Sequence, residues 1–275
     1  MANPLSTLQQ GWLYAGFELQ RLWLTRRGLM TLAATAVIWF FLLRYAIAPA
    51  SDLISADGFQ QFFRDVFGSG GLTQLFAWPA PELAVYWVLS LLILPTFCLF
   101  FTANQLCSDL ERGTLRFLAL RSSRSSIVLG RFAGQMLVQG SLILLTLAAT
   151  LSLAAWREGG ISLAMLTAAI VIAVNLLLVL LPFTALMSCF SAMVRSARLA
   201  VSLAIVSLGL VFALLSWFIF YFPDYLFLMG YLPGTQVLQL IQLQGWVTLQ
   251  HALLPLAQTA VLLAAATVLL KRRML

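Results

Sequence analysis

Residues 83–103 read LAVYWVLSLLILPTFCLFFTA, and residues 108–131 read SDLERGTLRFLALRSSRSSIVLGR. The first stretch carries no charge. The second packs five arginines and two carboxylates into one segment. A run of about 20 apolar residues is what a helix needs to cross a bilayer, and a run that stops at a cluster of arginines has a defined end. Working outward, comparable apolar runs recur along the chain, which is 62% hydrophobic and only 9% charged. Soluble domains carry about 25% charged residues. The expected fold is therefore an all-α membrane protein. A β-barrel would alternate over roughly 10-residue segments, and an open sheet leaves unpaired backbone at its edges in lipid.

Six spans are predicted: Gly28–Ala48, Leu83–Ala103, Phe132–Trp156, Ile161–Met193, Leu199–Phe222 and Ala252–Leu270. Basic residues gather in cytoplasmic loops. With the N-terminus inside, 13 of the 16 Lys and Arg face the cytosol. Both termini are then cytoplasmic, in a multi-pass protein of the inner (plasma) membrane. The +7 charge follows from this bias and does not imply nucleic acid, since no soluble basic domain is present.

Three further segments are set apart within a single transmembrane domain of residues 1–275. Residues 9–27 have helical periodicity with an aromatic face (Trp12, Gly16, Leu19, Trp23) and a polar one (Tyr14, Glu18, Arg21, Thr25), which suits a helix in the cytosolic interface or one packed on protein. Residues 49–82 form an outer loop in which a short surface helix is expected around Phe59–Phe67. Residues 223–251 are uncharged after Asp224 and broken by Pro233, Gly234 and Gly245. They are read as a short segment dipping into the outer leaflet, with Gln236, Gln239 and Gln242 on one face; a seventh span is the competing reading.

Chemistry is mostly absent. There is no phosphate-cradling G-x-x-x-x-G-K-[ST] loop, no Cys/His cluster with metal spacing, and no cofactor site. Cys98, Cys107 and Cys189 are expected to be free thiols. All nine acids fall in or beside predicted loops. That weighs against an ion-coupled carrier, which places ionisable groups within its spans.

The charged stretch lies between the second and third spans, in a cytosolic segment over residues 104–131. Ser108 and Glu111 have capping-box spacing, so a helix is expected to start there, presenting Leu110, Leu115, Phe117, Leu118 and Leu120 together with arginines. It is either a surface helix on anionic lipid or a docking helix for a soluble partner.

DLERGTLRFLALRSSRSSIVLGR resembles the signature segment of the type-2 ATP-binding-cassette exporter permeases. That family often has Pro before the Ser-Arg pair and Lys where this chain has Arg131. The resemblance implies a permease subunit that dimerises and forms the path between two copies. Separate soluble ATPase subunits, which hold ATP and Mg, would drive it. It assigns coupling to Asp109, Glu111, Arg112, Gly113, Thr114, Leu115 and Arg116, with Glu111 the polar anchor, and it places the first and fifth spans at the dimer interface. Small residues at Ala200, Ser202, Ala204 and Ser207, and the Gly130-x-x-x-Gly134 pair, suit close helix approach. A membrane scaffold recruiting another cytosolic protein through the same loop is the alternative. Membrane lipid is the surrounding partner; the transported substrate and the direction of transport stay open at this point.

Overall fold

The computed structural model describes residues 7–56, 58–61 and 75–273. The described residues are mostly helical, with no strand among them. In order, the elements are α1 (Thr7–Leu24), α2 (Arg26–Leu42), a π turn (Leu43–Ile47), α3 (Ala48–Ser55), α4 (Pro81–Thr102), α5 (Cys107–Glu111) and α6 (Thr114–Arg121). There follow α7 (Arg124–Glu158), α8 (Leu163–Met193), α9 (Ala197–Tyr221), a 3-10 segment (Pro223–Tyr231), α10 (Gln236–Ile241), a second 3-10 segment (Gly245–His251) and α11 (Leu253–Arg273). Six stretches among the described residues are long and apolar enough to cross a membrane: Gly28–Ser55, Pro81–Glu111, Arg124–Glu158, Leu163–Met193, Ala197–Tyr221 and Leu253–Arg272. Each predicted span coincides with one of them, three overrunning it by one or two residues at Ile161, Phe222 and Ala252.

The first crossing is continuous through α2, the π turn and α3. Pro49 has no N–H and its ring crowds the carbonyl four residues back. The widened π turn immediately before it relieves that clash within an otherwise unbroken helix. Pro95 and Pro182 likewise sit inside α4 and α8, which run through them.

The α8 helix is the hub, packing on α4, α7, α9 and α11. Around it the buried core is built from Tyr86, Trp87, Leu91, Met165, Ile172, Leu176 and Leu180. Uncharged polar side chains tie the helices together. Gln139 Nε2 donates to Thr184 Oγ1 at 3.1 Å, Ser188 Oγ donates to Gln105 Oε1 at 2.6 Å, and Gln105 Nε2 donates to the Thr184 carbonyl at 3.3 Å. Such interhelical bonds act as glue where lipid offers no competing partner. No described carboxylate joins them.

The α1 helix lies along the start of α7, its most extensive packing partner. Small residues make this possible. A Cβ on Gly130 would sit 2.8 Å from the Gly11 carbonyl oxygen and from Tyr14 Cβ, and one on Gly134 would sit 2.9 Å from Glu18 Cβ. The Gly-x-x-x-Gly pair thus serves contact within the chain. So do Ala200 and Ala204, both fully buried in the core on α9. The opposite side of α1 leaves Trp12, Leu13, Phe17 and Leu24 exposed. The polar face named from periodicity, with Tyr14 and Glu18, is the one that meets protein.

Residues 223–251 form three short helices with no further crossing among them. Their backbone and side chains are held by protein: Trp87 Nε1 donates to the Leu240 carbonyl, and Asn175 Nδ2 donates to Thr248 Oγ1 at 2.7 Å. The expected glutamine face is split, since Gln236 is buried while Gln239 and Gln242 are exposed. In the outer loop residues 58–61 are helical; the rest of the expected Phe59–Phe67 helix lies outside the described residues. The three cysteines are buried thiols outside any disulfide.

Candidate coupling loop and the two ends of one helix

The loop from Cys107 to Ser123 sits at the end of the bundle that also holds α1 and the last turn of α11. Its inner side is anchored. Leu106, Leu115, Ile127, Val128, Ala192, Ala266 and Leu270 form a second buried cluster, separate from the main core. Tyr14 and Ser122 share a hydrogen bond of 2.8 Å between their hydroxyls, and Arg124 Nη1 donates to the Lys271 carbonyl at 3.3 Å.

The expected capping box does not form. The helix begins two residues earlier, at Cys107, with Leu106 in place of Ser108 as its N-cap and no side-chain cap bond. Burial decides this: Leu106 and Cys107 are almost wholly enclosed, which pulls the helix start inward and leaves Ser108 inside the first turn. The helix ends after Glu111. Gly113 then takes a left-handed conformation, φ +70, which costs an L side chain roughly 1–2 kcal/mol, and α6 departs from there. The single expected helix is thus two short ones joined at a glycine corner.

Among the coupling residues read from the resemblance, Glu111, Arg112 and Gly113 are exposed together at this corner. Thr114 is half-buried and donates to Asp109 Oδ1 at 3.2 Å. Leu115 is buried, 3% exposed. The backbone of Arg116 lies in α6; its side chain is outside the described residues. Asp109 turns inward. Along α6 two apolar side chains point away from the protein, Phe117 at 73% and Leu120 at 83% exposure.

Asp109 meets a residue that the charge pattern alone did not single out. The Arg131 guanidinium bonds Asp109 Oδ2 through Nη2 at 2.6 Å and pairs with Glu18 through Nη1. One arginine on α7 therefore clamps α1 and α5. All three side chains are largely dry, 12%, 14% and 8% exposed for Arg131, Asp109 and Glu18. An arginine fork can serve two carboxylates from two directions in a way a point-like ammonium does less well. Reading this from sequence required knowing that α1 packs on α7. The Gly130–Gly134 pair was the available signal, but it did not name its partner.

At the far end of α7 the pattern recurs. Arg157 Nη1 donates to Glu82 Oε1 at 2.8 Å and to Ser51 Oγ at 2.6 Å, and its Nη2 pairs with Asp52. This clamp joins α3, α4 and α7. Glu82 stands in the first turn of α4 and Arg157 in the last turn of α7, where each charge suits the helix dipole. Among the described residues no group of three metal-ligating side chains forms.

No curated protein matches the chain. Residues 24–275 match the family described as ABC-2 family transporter protein. The match takes in all six crossings, the 107–121 loop and both α7 clamps except for Glu18, and the chain belongs to this family of multi-pass membrane transporters.

Proposed function

We propose that the chain is the membrane-spanning permease subunit of an ATP-binding-cassette transporter. It works as a homodimer, driven by separate ATPase subunits docked on the 107–121 loop. The observation that carries this reading is the two-sidedness of the loop. Its outer side offers Glu111, Arg112 and Gly113 at a sharp corner, with Phe117 and Leu120 uncovered beside it. Its inner side is fixed to the membrane helices by Leu115 and by the Asp109–Arg131 pair.

Such a handle suits transmission of a rigid-body movement. ATP in the partner favours one partner arrangement, and that differential affinity shifts the membrane helices gripped by the loop. The distribution of basic residues supports a cytosolic side for this loop and both termini, in a cell's inner membrane. α9 supports the dimer. Only Ala200 and Ala204 of this helix are buried, while Leu199, Val206, Leu210, Phe212, Leu214 and Trp217 are uncovered.

Glu111→Arg tests the docking. The variant is expected to reach the membrane and fold as the parent does, but to lose co-purification and coupled ATP turnover with its ATPase. Undiminished binding and turnover would remove Glu111 from the interface.

A further inference from the structure

Two cavities of opposite character meet beside α2. The first, about 220 Å³, is almost wholly apolar and lies between α2, α4 and α7, with Thr35, Trp39 and Leu42 on one side and Leu94 and Ile143 on the other. The second, about 210 Å³, is half polar and opens at the basic end of the bundle, lined by Arg21, Thr31, Asn104 and Gln135. Phe101 and Leu142 line both, so the two spaces adjoin as one slot with a polar mouth.

The slot follows from the fold. α1 hugs α7 through glycines, and the chain then turns at Thr25. Its Oγ1 accepts from the Gly28 amide at 3.1 Å and donates to the Arg21 carbonyl at 2.6 Å. Beyond that corner α2 has only slight contact with α7, and a gap opens.

The dimensions fit one lipid. From Thr31 to Leu42 on α2, and from Gln135 to Thr146 on α7, the lining covers twelve residues each, about 16 Å of helix. That is about one leaflet of a hydrocarbon core roughly 30 Å thick. The charge at the mouth is also decided. Glu18 is already paired with Arg131, whereas Arg21 reaches Glu18 only at 3.9 Å and keeps 47% of its side chain exposed. The neighbouring Arg26 is exposed as well. The mouth thus offers guanidinium donors with little local carboxylate to satisfy them, beside the amides of Asn104 and Gln135.

We infer that this slot binds one anionic phospholipid of the leaflet at the basic end. Its phosphate sits at Arg21 and one acyl chain lies between α2, α4 and α7. Hydrocarbon gains little by leaving the bilayer for an apolar slot, because lipid tails are as apolar as leucine. Selectivity therefore comes from the head group.

The test reconstitutes the full chain in vesicles of equal phosphatidylglycerol and phosphatidylcholine. A trace of either lipid carries a photoreactive acyl chain, and labelled peptides are mapped by mass spectrometry. Phosphatidylglycerol label is expected to concentrate on α2, α4 and α7 relative to α9, and phosphatidylcholine label is not. Arg21→Gln alters an exposed side chain and should lower the slot label about fivefold, the weight of one basic residue near a membrane surface, with α9 label unchanged. Leu142→Trp, at the junction of the two cavities, should remove it. Equal labelling by both lipids would mean bulk lipid only and overturn the proposal, as would full labelling of Arg21→Gln. Copy-to-copy cross-linking of Thr35→Cys would overturn it too, by giving the slot to a second chain. None of these readouts involves the ATPase, so failure here is separable from failure of the docking assignment.

Discussion

The two ends of α7 use the same device under different conditions. At the basic end Arg131 holds Glu18 and Asp109, with all three side chains mostly shielded from solvent. At the far end Arg157 holds Glu82 and Asp52; Glu82 is 2% exposed, but Asp52 is 60% exposed and Arg157 31%. The first clamp ties α7 to α1 and to the loop proposed to meet the ATPase. The second ties it to the helices around the outer loop. A dry clamp resists removal of a partner because the remaining charges stay buried, whereas a wetter one can turn a charge to water. On the proposed docking, the difference separates a joint that transmits movement from one that holds position.

The comparison breaks most visibly at Arg131. Arg131→Ala leaves two shielded carboxylates facing each other and should cost about 3–5 kcal/mol, seen as a lower midpoint in thermal unfolding in detergent together with loss of ATPase co-purification. Adding Glu18→Gln and Asp109→Asn should restore much of the midpoint. Arg157→Ala comes next, at about 2 kcal/mol, the penalty of one buried carboxylate left unsatisfied, with co-purification retained. Equal losses of docking at both ends would erase the distinction.

Lysine swaps sharpen it. Arg131→Lys should cost about 1–2 kcal/mol, because an ammonium lacks the two-pronged geometry, and Arg157→Lys less. The smallest effect on stability is expected at the exposed strip. Phe117→Ser combined with Leu120→Ser should leave unfolding within about 0.5 kcal/mol yet weaken ATPase binding. A large stability loss there would mean that the strip packs on the protein itself.

The crossings were legible because apolar length is a property of one segment at a time. What required two segments was not. Arg124–Gly130 has the composition of a loop, yet α7 begins at Arg124 because Ser123 Oγ accepts from the Ser126 amide at 3.1 Å; the third span was expected eight residues later. The capping box at Ser108 was locally correct and overruled by burial of Leu106 and Cys107. Glu18, Asp52, Glu82 and Asp109 were read as loop acids, which located them at the ends of the spans without showing that two arginines on one helix gather them. The motif named Glu111, Arg112 and Gly113 as coupling residues but did not show the corner at which the structure exposes all three. The inward turn of Asp109 depends on a partner 22 residues away.

α9 is fastened along one edge, at Ala200 and Ala204, and bare over most of its remaining circumference. Such a helix can roll about its own axis at small cost in internal contacts. In the proposed dimer its final azimuth is then set by what it meets in the plane of the bilayer, and the contour of a conduit beside it is decided only as the two copies come together.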